Sequence, residues 1–213
     1  MQNIIGIITS YIYIAIIIGI AQIFFKNKEE ESRKFIHILL ANWWIIAMTF
    51  FDNAIWASIV PFTFIIINYI SYKKDLIKAM ERSKSDGLGT VYYAISLFLM
   101  TFITFGIIKN PGIGLCSIFV MGYADGLAGL VGRKIESKEY KVKGTKKTVA
   151  GSLTMLFVTF IVVSIYMMMS NVVFWPIKSI IISLIITVVE AISIKGTDNL
   201  TVPLITCGLL LLM

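Results

Sequence analysis

The chain has 213 residues, 58% hydrophobic and only 15% charged, with a mean hydropathy of +0.88. Soluble domains carry about 25% charged residues, so this composition excludes an ordinary water-soluble globule. The apolar residues come in long blocks rather than amphipathic stripes, which points to an all-α, polytopic integral membrane protein. A net charge of +7 suits anionic lipid, nucleic acid or phosphate-bearing substrates, and the placement of the charges chooses among them.

A helix needs roughly 20 apolar residues to cross the hydrocarbon layer. Residues 3–25 meet this, and no Lys or Arg precedes them. They lack the basic start of a cleaved signal peptide and are expected to be a retained first span. Further spans are expected at 35–51, 54–72, 88–108, 111–131, 149–169 and 175–194. An eighth, at 200–213, is short and reads as a thin, partial or tilted span. Seven to eight transmembrane helices thus form a single domain over 1–213, without internal repeat or long linker. Cys116 and Cys207 sit inside apolar runs and read as packing residues.

The connections alternate in charge. Those after spans one, three, five and seven carry four, five, seven and one cations, which is seventeen of the nineteen Lys and Arg. Only Lys109 and Lys178 fall on the other side. By the positive-inside rule the seventeen face the cytoplasm and both termini lie outside. The basic excess is therefore a topology signal first, and no nucleic-acid-binding module accompanies it.

Polar residues beside membrane spans are costly and usually functional, and here they gather at one surface. Glu30, Arg33, Lys34 and His37 lie at the mouth of span two; Asp86, Gly87, Gly89 and Thr90 at that of span four. Asp125 and Arg133 close span five, and Lys146, Thr148, Gly151 and Ser152 open span six. Glu190 ends span seven, and Asp198, Asn199 and Thr201 open span eight.

Asp125 lies roughly two turns inside its span from Arg133. An unpaired carboxylate there costs several kcal/mol, so it is either a structural ion pair with Arg133 or a lysine, or a Mg²⁺ ligand or base. Gly122, Gly126, Gly129 and Gly132 thin this helix, for close packing or for a phosphate ligand. The loop lysines Lys138 and Lys141 also suit anionic headgroups. Lys146 and Lys147 stand before T-V-A-G-S, where free N–H groups and a positive helix end would suit phosphate. No Walker A string occurs. Arg33 and His37, four apart, share a helix face; Arg33 and Lys34 also obey the topology rule. Glu190, with Lys195 nearby, is a second intramembrane acid and a metal candidate.

These motifs together resemble a known family. R-K-x-x-H at 33–37, D-G-L-G-T-V-Y-Y at 86–93, A-D-G-L-A-G-L-V-G-R at 124–133, K-K-T-V-A-G-S at 146–152 and E-A-I-S…D-N-L-T-V-P-L at 190–204 resemble the phytol kinase/dolichol kinase family of CTP-dependent membrane lipid kinases. The match runs over residues 30–204, which leaves the first span peripheral. The resemblance implies transfer of the terminal phosphate of CTP to a lipid alcohol with Mg²⁺. Carried over by position, the key residues are Arg33, Lys34, Asp125 and Gly132, with Lys147, Gly151, Asp198 and Asn199 later. On this reading Asp125, with Asp198 or Glu190, holds Mg²⁺, and Asp125 orients or deprotonates the alcohol. Arg33, Lys34, Arg133, Lys146 and Lys147 neutralise charge, with His37, Thr148, Gly151 and Ser152 lining the nucleotide. A cytidylyltransferase making a CDP-lipid, a small ion- or proton-coupled transporter and a structural scaffold are the alternative readings.

The topology is testable directly. A Lys141→Cys variant in sealed cells should react with a membrane-impermeant thiol reagent only after the cytoplasmic side is opened; labelling from outside would invert the assignment.

Overall fold

A computed structural model describes residues 1–26, 28–74, 88–142 and 145–213. Lys78, Arg82, Lys84, Asp86, Gly87 and Lys143 lie outside the described residues. Ten α-helices follow in order: α1 (Gln2–Phe24), α2 (Glu29–Ala41), α3 (Trp43–Phe50), α4 (Ala54–Lys74), α5 (Gly89–Thr101), α6 (Pro111–Phe119), α7 (Gly126–Lys134), α8 (Val149–Met169), α9 (Trp175–Ile192) and α10 (Asp198–Leu212). Among the described residues, two π-helical stretches extend them. Phe102–Ile107 continues α5, and Val120–Asp125 joins α6 to α7 in one rod, Pro111–Lys134.

Among the described residues, six helical rods are long and apolar enough to cross a bilayer. This is an all-α polytopic membrane protein with one small addition. The expected second span is two shorter helices. The first starts earlier than hydropathy suggests, at Glu29, because Glu29, Glu30 and Glu31 occupy its first turn, where acids oppose the helix dipole favourably. It ends at Asn42, whose Oδ1 accepts the Tyr123 hydroxyl at 2.7 Å. The last helix has 15 residues.

The cationic loop after α7 is not irregular. Strands β1 (Glu139–Val142) and β2 (Thr145–Thr148) pair antiparallel, with Tyr140 opposite Lys147 and Lys141 opposite Lys146. Alternation along β2 turns Lys147 inward and leaves Lys146 exposed.

The core sits away from the charged end. Trp43 and Trp44 are fully buried on α3; their indole N–H groups donate to Ser10 Oγ and the Pro111 carbonyl, each at 2.9 Å. Both cysteines are buried. Apolar residues such as Ile8, Ile12, Phe157, Ile161 and Leu184 are exposed. In water such surface would be a liability; on six membrane-length rods it faces lipid.

Small residues set how closely α2 approaches the central rod. A Cβ on Gly122 would collide with the Cβ of Ala41, and one on Gly126 with Ile38. Gly122→Val therefore has to push two helices apart, at a cost of about 1–3 kcal/mol. The expected outcome is a lowered thermal midpoint in detergent, read by fluorescence, with expression retained; an unchanged midpoint would show the contact to be loose.

Candidate functional site

The tight approach of α2 brings two of its side chains onto Asp125. Lys34 Nζ donates to Asp125 Oδ2 at 3.0 Å and to its backbone carbonyl at 3.3 Å. His37 Nε2 lies 3.3 Å from the same Oδ2 and 3.0 Å from the Met121 carbonyl. Lys34 reaches that far because Gly129 lies in its path: a Cβ there would overlap the end of the lysine side chain. The π-helical stretch ends at Asp125, and such wide turns recur at functional sites.

Of the two kinds of partner expected for Asp125, the lysine is the one found. Asp125 pairs with Lys34, whereas Arg133 Nη2 reaches Glu30 Oε1 at 2.5 Å. Glu30 also pairs with Arg33, so it sets both arginines at the rim. The i, i+3 spacing of Glu30 and Arg33 was the available signal for that role. Glu190 pairs with Lys147 from the hairpin rather than with Lys195, and Lys147 Nζ is also 3.9 Å from Asp198 Oδ2. Burial of Lys147 disfavours its charge, but Glu190 and Asp198 outweigh this and raise its pKa above the usual lysine value. It stays a cation through the neutral range.

The start of α8 also differs from the expectation of free N–H groups. Val149 donates to the Lys138 carbonyl at 3.0 Å, Ala150 to Ser137 Oγ at 3.1 Å and Gly151 to Thr148 Oγ1 at 3.1 Å. Three donors of the first turn are thus satisfied within the protein, with Thr148 as N-cap. Ser152 Oγ meets the Tyr140 hydroxyl at 2.5 Å, which fastens the hairpin to α8. What remains for an anion here is the helix dipole and the side chains around it.

At the opposite wall, Gly196 has φ +79°, a left-handed value, and packs on Gly89 so closely that a Cβ would strike it. This turn lets Asn199 Nδ2 donate to the Gly89 carbonyl at 2.9 Å. Asn199 Oδ1 is buried without a hydrogen-bond partner among the described residues.

One cavity of about 230 Å³ collects these groups. Every residue singled out for the site lines it: Arg33, Lys34, His37, Asp125, Gly132, Arg133, Lys146, Lys147, Thr148, Gly151, Ser152, Glu190, Asp198 and Asn199. Gly89 and Thr90 join them, as do Ser193 and Thr145, which sequence reasoning did not select. Lys138 and Lys141 are not part of its lining. Carboxylate oxygens of Asp125, Glu190 and Asp198 lie within 4.8 Å of one another. Three carboxylates this close offer only hard oxygen donors, which fits a hard divalent cation such as Mg²⁺. Six Lys and Arg side chains against three acids leave the cavity suited to a polyanion.

The chain is similar to the phytol kinase of Synechocystis sp., with 29% identity over 187 residues that cover 82% of this chain and 76% of that protein. This likeness supports the phytol kinase/polyprenol kinase family for the chain. Probable phytol kinase 1 of Glycine max is 29% identical over 198 residues, and phytol kinase 1 of Arabidopsis thaliana 28% over 201. Those matches cover 82% and 84% of this chain but 64% and 65% of the plant proteins, so the chain spans just under two thirds of their length. No protein-family model and no solved structure matches the chain.

The charged cavity depends on ion pairs that lie largely out of water, and their cost is measurable. Removing one partner of such a pair costs about 3–5 kcal/mol. Lys147→Met should lower the thermal midpoint strongly, and adding Glu190→Gln should recover part of the loss. Additive losses in this double-mutant cycle would mean that the pair is not coupled.

Proposed function

We propose that the protein is a lipid alcohol kinase, moving the γ-phosphate of a nucleoside triphosphate, CTP, to a membrane alcohol. The acceptor class is a polyprenol, a phytol- or geranylgeraniol-like alcohol, or diacylglycerol, met at the cytoplasmic face. One observation carries the reading: three clustered carboxylates and six cations line a single cavity at one end of a bundle of membrane-length helices. The relatives are phytol kinases by name, which supports a lipid alcohol as acceptor.

Phosphoryl transfer needs in-line positioning and charge neutralisation more than covalent help from the protein. Asp125, Glu190 and Asp198 would hold Mg²⁺, which supplies neutralising charge to the phosphate oxygens. Arg33, Arg133, Lys146 and Lys147 set cations around the remaining phosphate charge, and Lys34 holds Asp125 in its orientation. The alcohol oxygen forms a bond to the terminal phosphorus as the bond to the bridging oxygen breaks. The nucleoside diphosphate leaves with that electron pair. Lys34 and His37 both address Asp125 Oδ2, which leaves Oδ1 either to bind the cation or to receive the hydroxyl proton. Thr148, Gly151, Ser152 and Asn199, with Gly132, wall the nucleotide.

Purified protein given γ-labelled CTP, Mg²⁺ and a panel of lipid alcohols should yield labelled lipid monophosphate and CDP. CDP-lipid with labelled pyrophosphate would make it a cytidylyltransferase, and no labelled lipid from any alcohol or nucleotide would overturn the kinase reading. Asp125→Asn should reduce turnover by at least about a hundredfold, and it should also lower the thermal midpoint, because buried Lys34 loses its counter-charge. Full activity in that variant would remove Asp125 from the chemistry.

A further inference from the structure

A second, smaller cavity of about 50 Å³ opens beside the main one. Ile36, Leu40, Asn68 and Tyr93 line it, and it shares Arg33, His37 and Asn199 with the main cavity. It is therefore continuous with the charged site at one end and apolar at the other, since Leu40 lies about a helical turn beyond His37 along α2.

One feature points to a ligand that brings a hydroxyl, and two more shape the cavity around it. Asn199 Oδ1, in the shared wall, is a buried acceptor with no donor among the described residues, and such orphans are costly unless something supplies the hydrogen bond. Asn68 is a buried amide in the apolar helix α4, and its Nδ2 donates to the Thr90 carbonyl at 3.0 Å. Tyr93 donates its hydroxyl to the His37 carbonyl at 3.1 Å, and its ring meets the His37 ring edge-on at 4.9 Å. These bonds tie α2, α4 and α5 around the cavity and hold it open at a set width. Its size is also selective. A water molecule's share of liquid volume is about 30 Å³, so the space takes the hydroxyl-bearing end of one slim chain and no nucleotide.

We infer that this side cavity is the acceptor subsite. It seats the terminal hydroxymethyl group of the lipid alcohol between His37, Tyr93 and Asn199, with the tail passing Ile36 and Leu40 into the bilayer. The inference rests on the kinase reading for the nature of its ligand. It adds the side from which that ligand arrives: between α2, α4 and α5, where no described hairpin residue lines the cavity.

A long-chain primary alcohol with a diazirine beside its hydroxyl end tests this on the unaltered protein in lipid nanodiscs. After irradiation, label should map to the peptides carrying Ile36, Leu40 or Tyr93, and excess unlabelled alcohol should compete it away. Leu40→Trp, which fills the cavity, should raise KM for the alcohol about tenfold while KM for CTP stays unchanged. Competed label confined to α8 or α9 would overturn the inference, as would a Leu40→Trp protein with unchanged KM for the alcohol. If no alcohol is phosphorylated yet competed label maps to Leu40, the subsite stands and the kinase reading falls. The labelling needs no variant, so it decides the matter even where Leu40→Trp folds poorly.

Discussion

The site depends on holding three carboxylates close together at the end of an apolar helix bundle. Asp125, Glu190 and Asp198 repel one another and lose much of their hydration there, which is tolerable only with cations in direct contact. Two lysines from separate elements supply them. Lys34 crosses the notch at Gly129 to reach Asp125, and Lys147 comes from the hairpin to Glu190 and Asp198. Each lysine brings its element with it, so the charge balance of the site also docks α2 on one side and the hairpin on the other.

This arrangement suits a cavity that exchanges charge with a ligand. A divalent cation among the carboxylates would weaken the hold on Lys147, whose ammonium sits between two of the same acids. Lys34 is held differently, bonded to both the side chain and the backbone of Asp125. The two cations are therefore held unequally: one by a single residue, the other between two acids.

The linings of the two cavities differ along the same line. The cationic groups of the hairpin and the start of α8 border only the larger space, while the apolar residues of α2 border only the smaller. Arg33, His37 and Asn199 stand between them. A polyanion entering from water and an apolar chain entering from lipid would meet at that wall, beside Asp125.

Much of the fold was legible in the sequence because crossing a bilayer is a local requirement. Twenty apolar residues in a row carry the signal themselves. The residues of the site were legible for a related reason: charge and glycine are rare in such spans, so Asp125, Glu190 and the cations beside them stand out. Their partnerships were not. Lys34 and Asp125 are 91 positions apart, Lys147 and Glu190 43, and Asn199 and Gly89 110, and nothing local selects Lys34 over Arg133 or Lys147 over Lys195. The hairpin, the break at Asn42 and the satisfied N–H groups of α8 were equally hidden. Each depends on which helix faces turn toward one another, which is decided by where a missing Cβ lets two backbones close. Residue order alone is enough to collect charge at one end of a membrane bundle. Which lysine neutralises which acid is settled only in the folded molecule, by helix rotation and close packing rather than by spacing along the chain.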